Sequence, residues 1–193
     1  MKIALLGPPH SGKSVLRERL KRAILKLDSG VYPYVLTVNP DGEGSWFQES
    51  YERDQEQALL HRTAAKRPWT RERAEQFAEW ARNASTPLTL LDMGGVIDDY
   101  TRLICGEATH AILLVPREAD FPAWRGLCQQ CSLVVLAELV SAYEKTEDAI
   151  YESAAVFRGE VHRLQRGELD SHRVAVDGLA DFVLKRLGGG AKD

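Results

Sequence analysis

The sequence predicts an α/β fold, a three-layer sandwich in which a doubly wound, mostly parallel sheet lies between two layers of helices. Short apolar runs alternate with longer amphipathic stretches, which is the pattern of β-α-β units. The apolar runs are nearly continuous, as in parallel strands that are buried on both faces. The chain has 193 residues, 44% of them hydrophobic, which suits one domain. We expect that domain over residues 1–187, followed by a flexible tail over 188–193.

The predicted elements follow in order along the chain. Strands are expected at 3–6, 34–38, 88–91, 111–115 and 133–137. Helices are expected from Lys13 to about Gly30, over most of 47–83, and at 119–130, 150–164 and 179–187. The first helix depends on a helical stripe of Leu16, Leu20, Ala23, Ile24 and Leu27. The helix at 150–164 depends on a second stripe, formed by Ile150, Ala154, Phe157, Val161 and Leu164.

Composition narrows the classes of function. The formal net charge is −3 and the pI is about 6.0, so the whole chain does not attract nucleic acid. The sparse, odd set of cysteines, Cys105, Cys128 and Cys131, favours a reducing compartment over a disulfide framework. The first apolar run is too short for a signal peptide, and no run reaches a membrane-spanning length. We therefore expect a cytoplasmic protein without a membrane partner.

The segment after the first predicted strand matches Gly-x-x-x-x-Gly-Lys-Ser in full. Its residues are Gly7, Pro8, Pro9, His10, Ser11, Gly12, Lys13 and Ser14, with Val15 next in the helix. Glycines let successive backbone N–H groups converge as an anion nest, and the helix adds its N-terminus. Lys13 supplies a full charge near the β and γ phosphates, and the Ser14 hydroxyl can bind Mg²⁺. Because strand and helix flank the motif, a P-loop that binds a nucleoside triphosphate is favoured over a chance glycine turn.

Asp92 ends the third predicted strand, where such a site needs a carboxylate for Mg²⁺. The alternative is an aspartate that only ends a strand. Asp92 and Gly95 form Asp-x-x-Gly, a spacing shared with GTPases and their relatives, and that resemblance implies that the Gly95 N–H contacts the γ-phosphate. No glutamate follows Asp92, which weakens a ring-forming ATPase assignment, and no Asn-Lys-x-Asp motif is present, which favours ATP over GTP.

Asp41 and Glu43 lie in a glycine-rich turn after the second predicted strand. Ligands of open parallel sheets bind at the carboxyl ends of the strands, so either carboxylate could act as a base on water or a hydroxyl. A solvated turn is the equally favoured alternative. The basic segment 62–73 is interpreted as a solvated helical face, with a mobile lid or an RNA-facing patch as the alternative. Cys128 and Cys131 are interpreted as ordinary helix or core residues because no second cysteine pair completes a zinc site.

Five segments together resemble a known family. They are residues 7–14, the Asn-Pro-Asp-Gly-Glu-Gly-Ser-Trp run at 39–46, and the runs at 90–95, 110–114 and 135–139. They resemble the P-loop ATPase domain that accompanies, or is fused to, CRISPR-associated ring nucleases of type III systems. The resemblance implies nucleotide binding at Gly12, Lys13, Ser14 and Asp92. It does not imply cleavage of cyclic oligoadenylates, because this chain has no room for a nuclease domain.

These patterns favour a Mg²⁺-dependent ATPase or nucleotide switch, with a CRISPR ring nuclease or RNA as a partner. Lys13, Asp41 and Glu43 would be catalytic, and Ser14 and Asp92 would bind the metal. A homodimer is expected because lone P-loop domains often use a partner's arginine. The alternatives are a small-molecule or nucleoside kinase on the same fold and a non-catalytic module that binds nucleotide to recruit a partner.

Overall fold

The computed structural model describes residues 1–38, 69–151, 155–165 and 172–189. The strands within these ranges are β1 Lys2–Leu6, β2 Tyr34–Val38, β3 Thr89–Met93, β4 His110–Val115, β5 Val134–Ala142, β6 Ala149–Tyr151 and β7 Phe157–His162. The helices are α1 Lys13–Leu27, α2 Arg71–Asn83, α3 Asp99–Cys105, α4 Phe121–Gln130 and α5 Val174–Gly189. A turn of 3-10 helix, Glu118–Asp120, precedes α4.

The strands form one seven-stranded sheet in the order β2-β3-β1-β4-β5-β7-β6. All neighbours are parallel except β6, which pairs antiparallel with β7 at the edge. The expected α/β class with a mostly parallel sheet is therefore confirmed. In this order β1 lies beside β3, and Leu5 is in register with Asp92. The segments that follow β1 and β3 consequently leave the sheet side by side at one edge.

Two hydrophobic clusters cover the two faces of the sheet, an arrangement compatible with a three-layer sandwich. Side chains alternate along β1, so that Ile3 and Leu5 face one cluster while Ala4 and Leu6 face the other. The first cluster includes residues of α1 and α5, and the second includes residues of α2, α3 and α4. The short run of β1 is hydrophobic throughout because both of its faces are covered.

The predicted helix at 150–164 is wrong, because this region contains β6 and β7. Phe157 and Val161 fit a helical stripe, but they also fit the alternation of a strand, whose residues Arg158 and Glu160 are more exposed. Gly159 lies between them and is packed closely: a Cβ there would lie 2.4 Å from the Ala149 carbonyl oxygen. Of the five stripe residues, Phe157 and Val161 are compatible with both periods, and strand pairing decides between them.

Other boundaries also differ from the predictions. Leu27, expected in the core, is 54% exposed, and α1 is capped by Asp28 before Gly30. Helix α3 was not predicted; the Asp98 side chain caps it by accepting a hydrogen bond from the Thr101 N–H at 2.7 Å. β5 extends beyond its predicted end, to Ala142, and α5 begins earlier than predicted and includes Gly188 and Gly189 of the expected tail.

Candidate functional site

The loop 7–12 connects the carboxyl end of β1 to the N-terminus of α1. Its backbone takes left-handed conformations at three positions, Gly7 (φ 151°), His10 (φ 61°) and Gly12 (φ 92°). Pro8 and Pro9 carry no N–H, so the groups that an anion nest could use begin at His10, where the left-handed residues His10 and Gly12 flank Ser11. Gly12 occupies the N-cap of α1 and has no side chain to accept hydrogen bonds from the first helical N–H groups. The loop therefore offers both a nest and an uncapped helix N-terminus to an anion.

Lys13 folds back into this loop. Its Nζ donates hydrogen bonds to the carbonyl oxygens of Gly7 and Pro8, each at 2.8 Å, and the residue is 8% exposed. The ammonium is therefore held beside the loop backbone instead of extending into water. A phosphate oxygen that approached the loop would lie near this charge in a site from which most water is excluded. The electrostatic attraction between the two would be stronger there than at the protein surface.

One feature of the loop suits a ligand with many oxygen atoms, and another fixes the position of the loop against β4. Ser11 is 3% exposed, and its Oγ has no hydrogen-bond partner within the part of the chain that the structure describes. A buried hydroxyl without a partner is costly, and an acceptor oxygen brought by a ligand would satisfy it. Gly7 is required on steric grounds too, because a Cβ would lie 1.9 Å from the Leu114 carbonyl oxygen of β4.

The segment after β3 contacts the loop directly. A Cβ on Gly95 would lie 2.4 Å from the Pro9 nitrogen and 2.7 Å from its Cα and Cδ atoms. Only a residue without a side chain allows the two backbones to approach so closely. Gly95 and the loop 7–12, which are linked by motif alone in the sequence, are therefore neighbours in space.

Asp92 lies at the carboxyl end of β3 and is 3% exposed. Its Oδ2 accepts a hydrogen bond from Nη1 of Arg17 at 3.2 Å, and the same nitrogen lies 3.4 Å from the Thr37 hydroxyl of β2. Arg17 is 1% exposed. The predicted metal ligand is thus already engaged with a buried cation. Sequence reasoning missed Arg17, although an arginine one turn after Lys13, within an apolar helix face, was the available signal.

Ser14 and Asp92 offer the hard oxygen donors that Mg²⁺ prefers. Mg²⁺ in phosphate sites usually takes only one or two protein ligands and completes its shell with water and phosphate oxygens. A magnesium site at this loop would therefore not require a full set of protein ligands. The described residues contain no cluster of three or more His, Cys, Asp or Glu side chains. The oxygen donors of Ser14 and Asp92 therefore suit Mg²⁺. Arg17 is a cation that would compete with Mg²⁺ for Asp92.

The segment after β7 covers the other side of the loop. The Leu164 side chain lies about 3.0 Å from the position of a Cβ on Gly12. A buried ion pair fixes this segment: Arg173 donates to Asp148 at 2.6 Å, and Asp148 also accepts from the His162 backbone N–H at 3.0 Å. Burial raises the pKa of Asp148, but these hydrogen bonds outweigh it and hold the pKa below its usual value. Leu164 is thereby positioned by groups far from it in sequence.

A separate cavity of about 260 Å³ lies over β5 and β7. Glu138 at its base is 7% exposed and accepts two hydrogen bonds from Arg125, at 2.6 and 2.8 Å, and one from Arg158 at 3.1 Å. The hydrogen bonds from Arg125 lower the pKa of Glu138. Because Glu138 is satisfied by these two arginines, the cluster is accounted for as an ion-pair network that joins α4 to the sheet.

The remaining predicted residues divide into two groups. Asp41, Glu43 and the basic residues at 62, 66 and 67 lie outside the described ranges. The cysteines are free, Cys105 and Cys128 are buried, and burial raises the pKa of the Cys128 thiol to about 12, which agrees with inert core residues. In the basic segment, Arg71 is exposed and pairs with Glu75 at 2.8 Å, as expected for a solvated helical face.

The chain matches no protein-family model and no curated protein. Among the described helices, none combines the length and the apolar character that crossing a membrane requires.

Proposed function

We propose that this chain is a P-loop protein that binds ATP at the loop 7–14 and hydrolyses it with Mg²⁺, as an ATPase or a nucleotide switch. The observation that carries the proposal is the Lys13 ammonium held at 2.8 Å from two loop carbonyl oxygens, inside a backbone with three left-handed residues. A turn that only connected a strand to a helix would need neither a buried lysine nor strained backbone at His10. Both features are explained by a polyanionic ligand.

The reaction would proceed largely by charge stabilisation. Lys13 and the loop N–H groups would stabilise the negative charge that develops on the transferring phosphoryl group. Bound Mg²⁺, held by Ser14 and Asp92, would neutralise phosphate charge. Asp41 or Glu43, which stay sequence predictions, would orient the attacking water.

The proposal extends to a biological setting through the resemblance of the five segments, of which the run at 39–46 is the most specific. On that basis we propose that the ATPase serves as an accessory factor in CRISPR defence, with a ring nuclease or RNA as its partner. Adding cyclic oligoadenylate or RNA to the purified protein should then change the rate of phosphate release. If neither cyclic oligoadenylate nor RNA changes the rate of phosphate release, the proposed role in CRISPR defence loses its support. That result would not refute ATP hydrolysis by the protein.

A second candidate is a non-catalytic nucleotide-binding module, and one observation favours it. Asp92 is paired with Arg17 at 3.2 Å, and Met93 stands where many ATPases have a glutamate. A site whose acidic group is neutralised would bind ATP and turn it over slowly.

Following the label from γ-labelled ATP tests the proposed function. Wild-type protein with Mg²⁺ should release labelled inorganic phosphate, and Lys13→Met should not. Tight ATP binding without release would favour the binding module. Label that moves to an added hydroxyl compound instead of water would show a kinase and refute the ATPase.

A further inference from the structure

Arg17 is a buried cation placed between two carboxylates. Its Nη1 contacts Asp92 at 3.2 Å, and its Nη2 lies 3.6 Å from Oε2 of Glu18. Asp92 is 3% exposed, whereas the Glu18 side chain is 16% exposed and also pairs with Arg22 at 3.3 Å. The guanidinium therefore bridges two carboxylates through different nitrogens, one at the sheet edge and one on the helix surface.

The Asp92 carboxylate cannot bind the Arg17 guanidinium and a divalent ion strongly at the same time. A carboxylate this buried is stable only with a compensating charge, which Arg17 supplies when no divalent ion is bound. A divalent ion that approached the same carboxylate would meet a guanidinium within contact distance, and like charges in a poorly solvated place repel strongly. Mg²⁺ binding at Asp92 is therefore coupled to the position of Arg17.

We propose that Arg17 is a two-position switch that sets the Mg²⁺ dependence of nucleotide binding. Without the ion, Arg17 holds Asp92 as well as Glu18; with Mg²⁺ and nucleotide, Arg17 leaves Asp92 and is held by Glu18 alone. The inference rests on the proposed function, because it concerns the same site. It adds a positioning residue that neither the phosphate-loop motif nor the Asp-x-x-Gly motif contains.

Binding of a fluorescent ATP analogue, measured with excess Mg²⁺ and with EDTA, tests the switch without any turnover. The quantity compared is the ratio of the two dissociation constants, EDTA over Mg²⁺. Arg17→Met removes the competing charge and should raise this ratio about tenfold or more relative to wild type. Glu18→Gln removes the alternative partner, keeps Arg17 on Asp92, and should lower the ratio. Glu75→Gln, which removes an exposed ion pair on α2, should leave it unchanged.

Opposite signs for the two variants of α1 are the signature of a switch. Equal ratios in wild type, Arg17→Met and Glu18→Gln would overturn the proposal. If Arg17→Met fails to fold, Glu18→Gln alone still decides, because its side chain lies near the surface. A thermal-shift titration with Mg²⁺ alone separates the two levels of inference. A melting-temperature rise larger in Arg17→Met than in wild type shows that Arg17 competes with the ion at Asp92, and an equal rise in a protein that still binds ATP refutes the switch alone. Absent ATP binding refutes the proposed function and the switch with it.

Discussion

Replacing Gly95 with alanine probes the contact between the segment after β3 and the loop 7–12. The added Cβ would lie 2.4 Å from the Pro9 nitrogen and 2.7 Å from the Pro9 Cα. Ordinary contact between such atoms needs about 3.5 Å, so one backbone must move by on the order of 1 Å. Pro9 yields poorly because its ring fixes φ. Forcing an extra carbon into a packed place costs about 1–3 kcal/mol.

The displacement should also reach the ligand site. Pro8, next to the displaced residue, accepts one of the two hydrogen bonds from Lys13 at 2.8 Å, and a shift of this size breaks such a bond. We therefore expect Gly95→Ala to weaken ATP binding about tenfold, which corresponds to roughly 1.4 kcal/mol. The matched control is Gly94→Ala, whose Cβ would meet, among the described residues, only the Val38 carbonyl oxygen at 3.9 Å, an ordinary contact.

Urea unfolding and an ATP titration measure both effects in the same protein preparations. The reasoning predicts that Gly95→Ala loses stability and ATP affinity while Gly94→Ala keeps both. If the two variants are equal in stability and in affinity, the close approach of Gly95 to Pro9 does not exist as described.

Two further predictions concern stability. Gly126→Ala in α4, where an added Cβ meets no described residue within 4 Å, should raise the free energy of unfolding by about 0.5–1 kcal/mol. A lower free energy of unfolding in urea would contradict this. Asp148→Asn breaks the buried pair with Arg173 and should lower the free energy of unfolding by about 3–5 kcal/mol. Since the folded-state pKa of Asp148 is lowered, its contribution is present above its ordinary pKa and disappears as the pH falls through the lowered value. Wild type should therefore lose more stability on acidification than Asp148→Asn, and equal losses would contradict the assigned role.

The sequence predicted those elements whose signals were local and unambiguous. β2 Tyr34–Val38 was placed at its observed bounds, and β1, β3 and β4 were placed within a residue or two, because each is a short apolar run ended by turn residues. The stripe at 150–164 failed because Phe157 and Val161 fit both a helix and a strand, and only the pairing of β7 with β5 decides between them. Propensity and periodicity do not contain that long-range information.

The same distinction applies to the candidate site. The loop 7–14 was recognisable because all of its determinants are adjacent in sequence. Arg17 on Asp92 and Leu164 on Gly12 were not, because each contact joins residues that only the fold brings together. Leu164 was even assigned to a helix stripe, so its position beside the loop could not be foreseen. Asp41 and Glu43 lie outside the described residues and stay predictions.

The most direct test of the central claim is a calorimetric titration of ATP with Mg²⁺ into wild-type protein and Lys13→Met. Methionine keeps the length and the apolar stem of the side chain while removing the ammonium, which donates to two loop carbonyl groups at 2.8 Å. We expect saturable binding at one site in wild type and a loss of at least about tenfold in affinity in the variant, each tenfold being roughly 1.4 kcal/mol. Equal affinity in both proteins, or no binding in the wild type, would contradict the claim that this loop binds a nucleoside triphosphate.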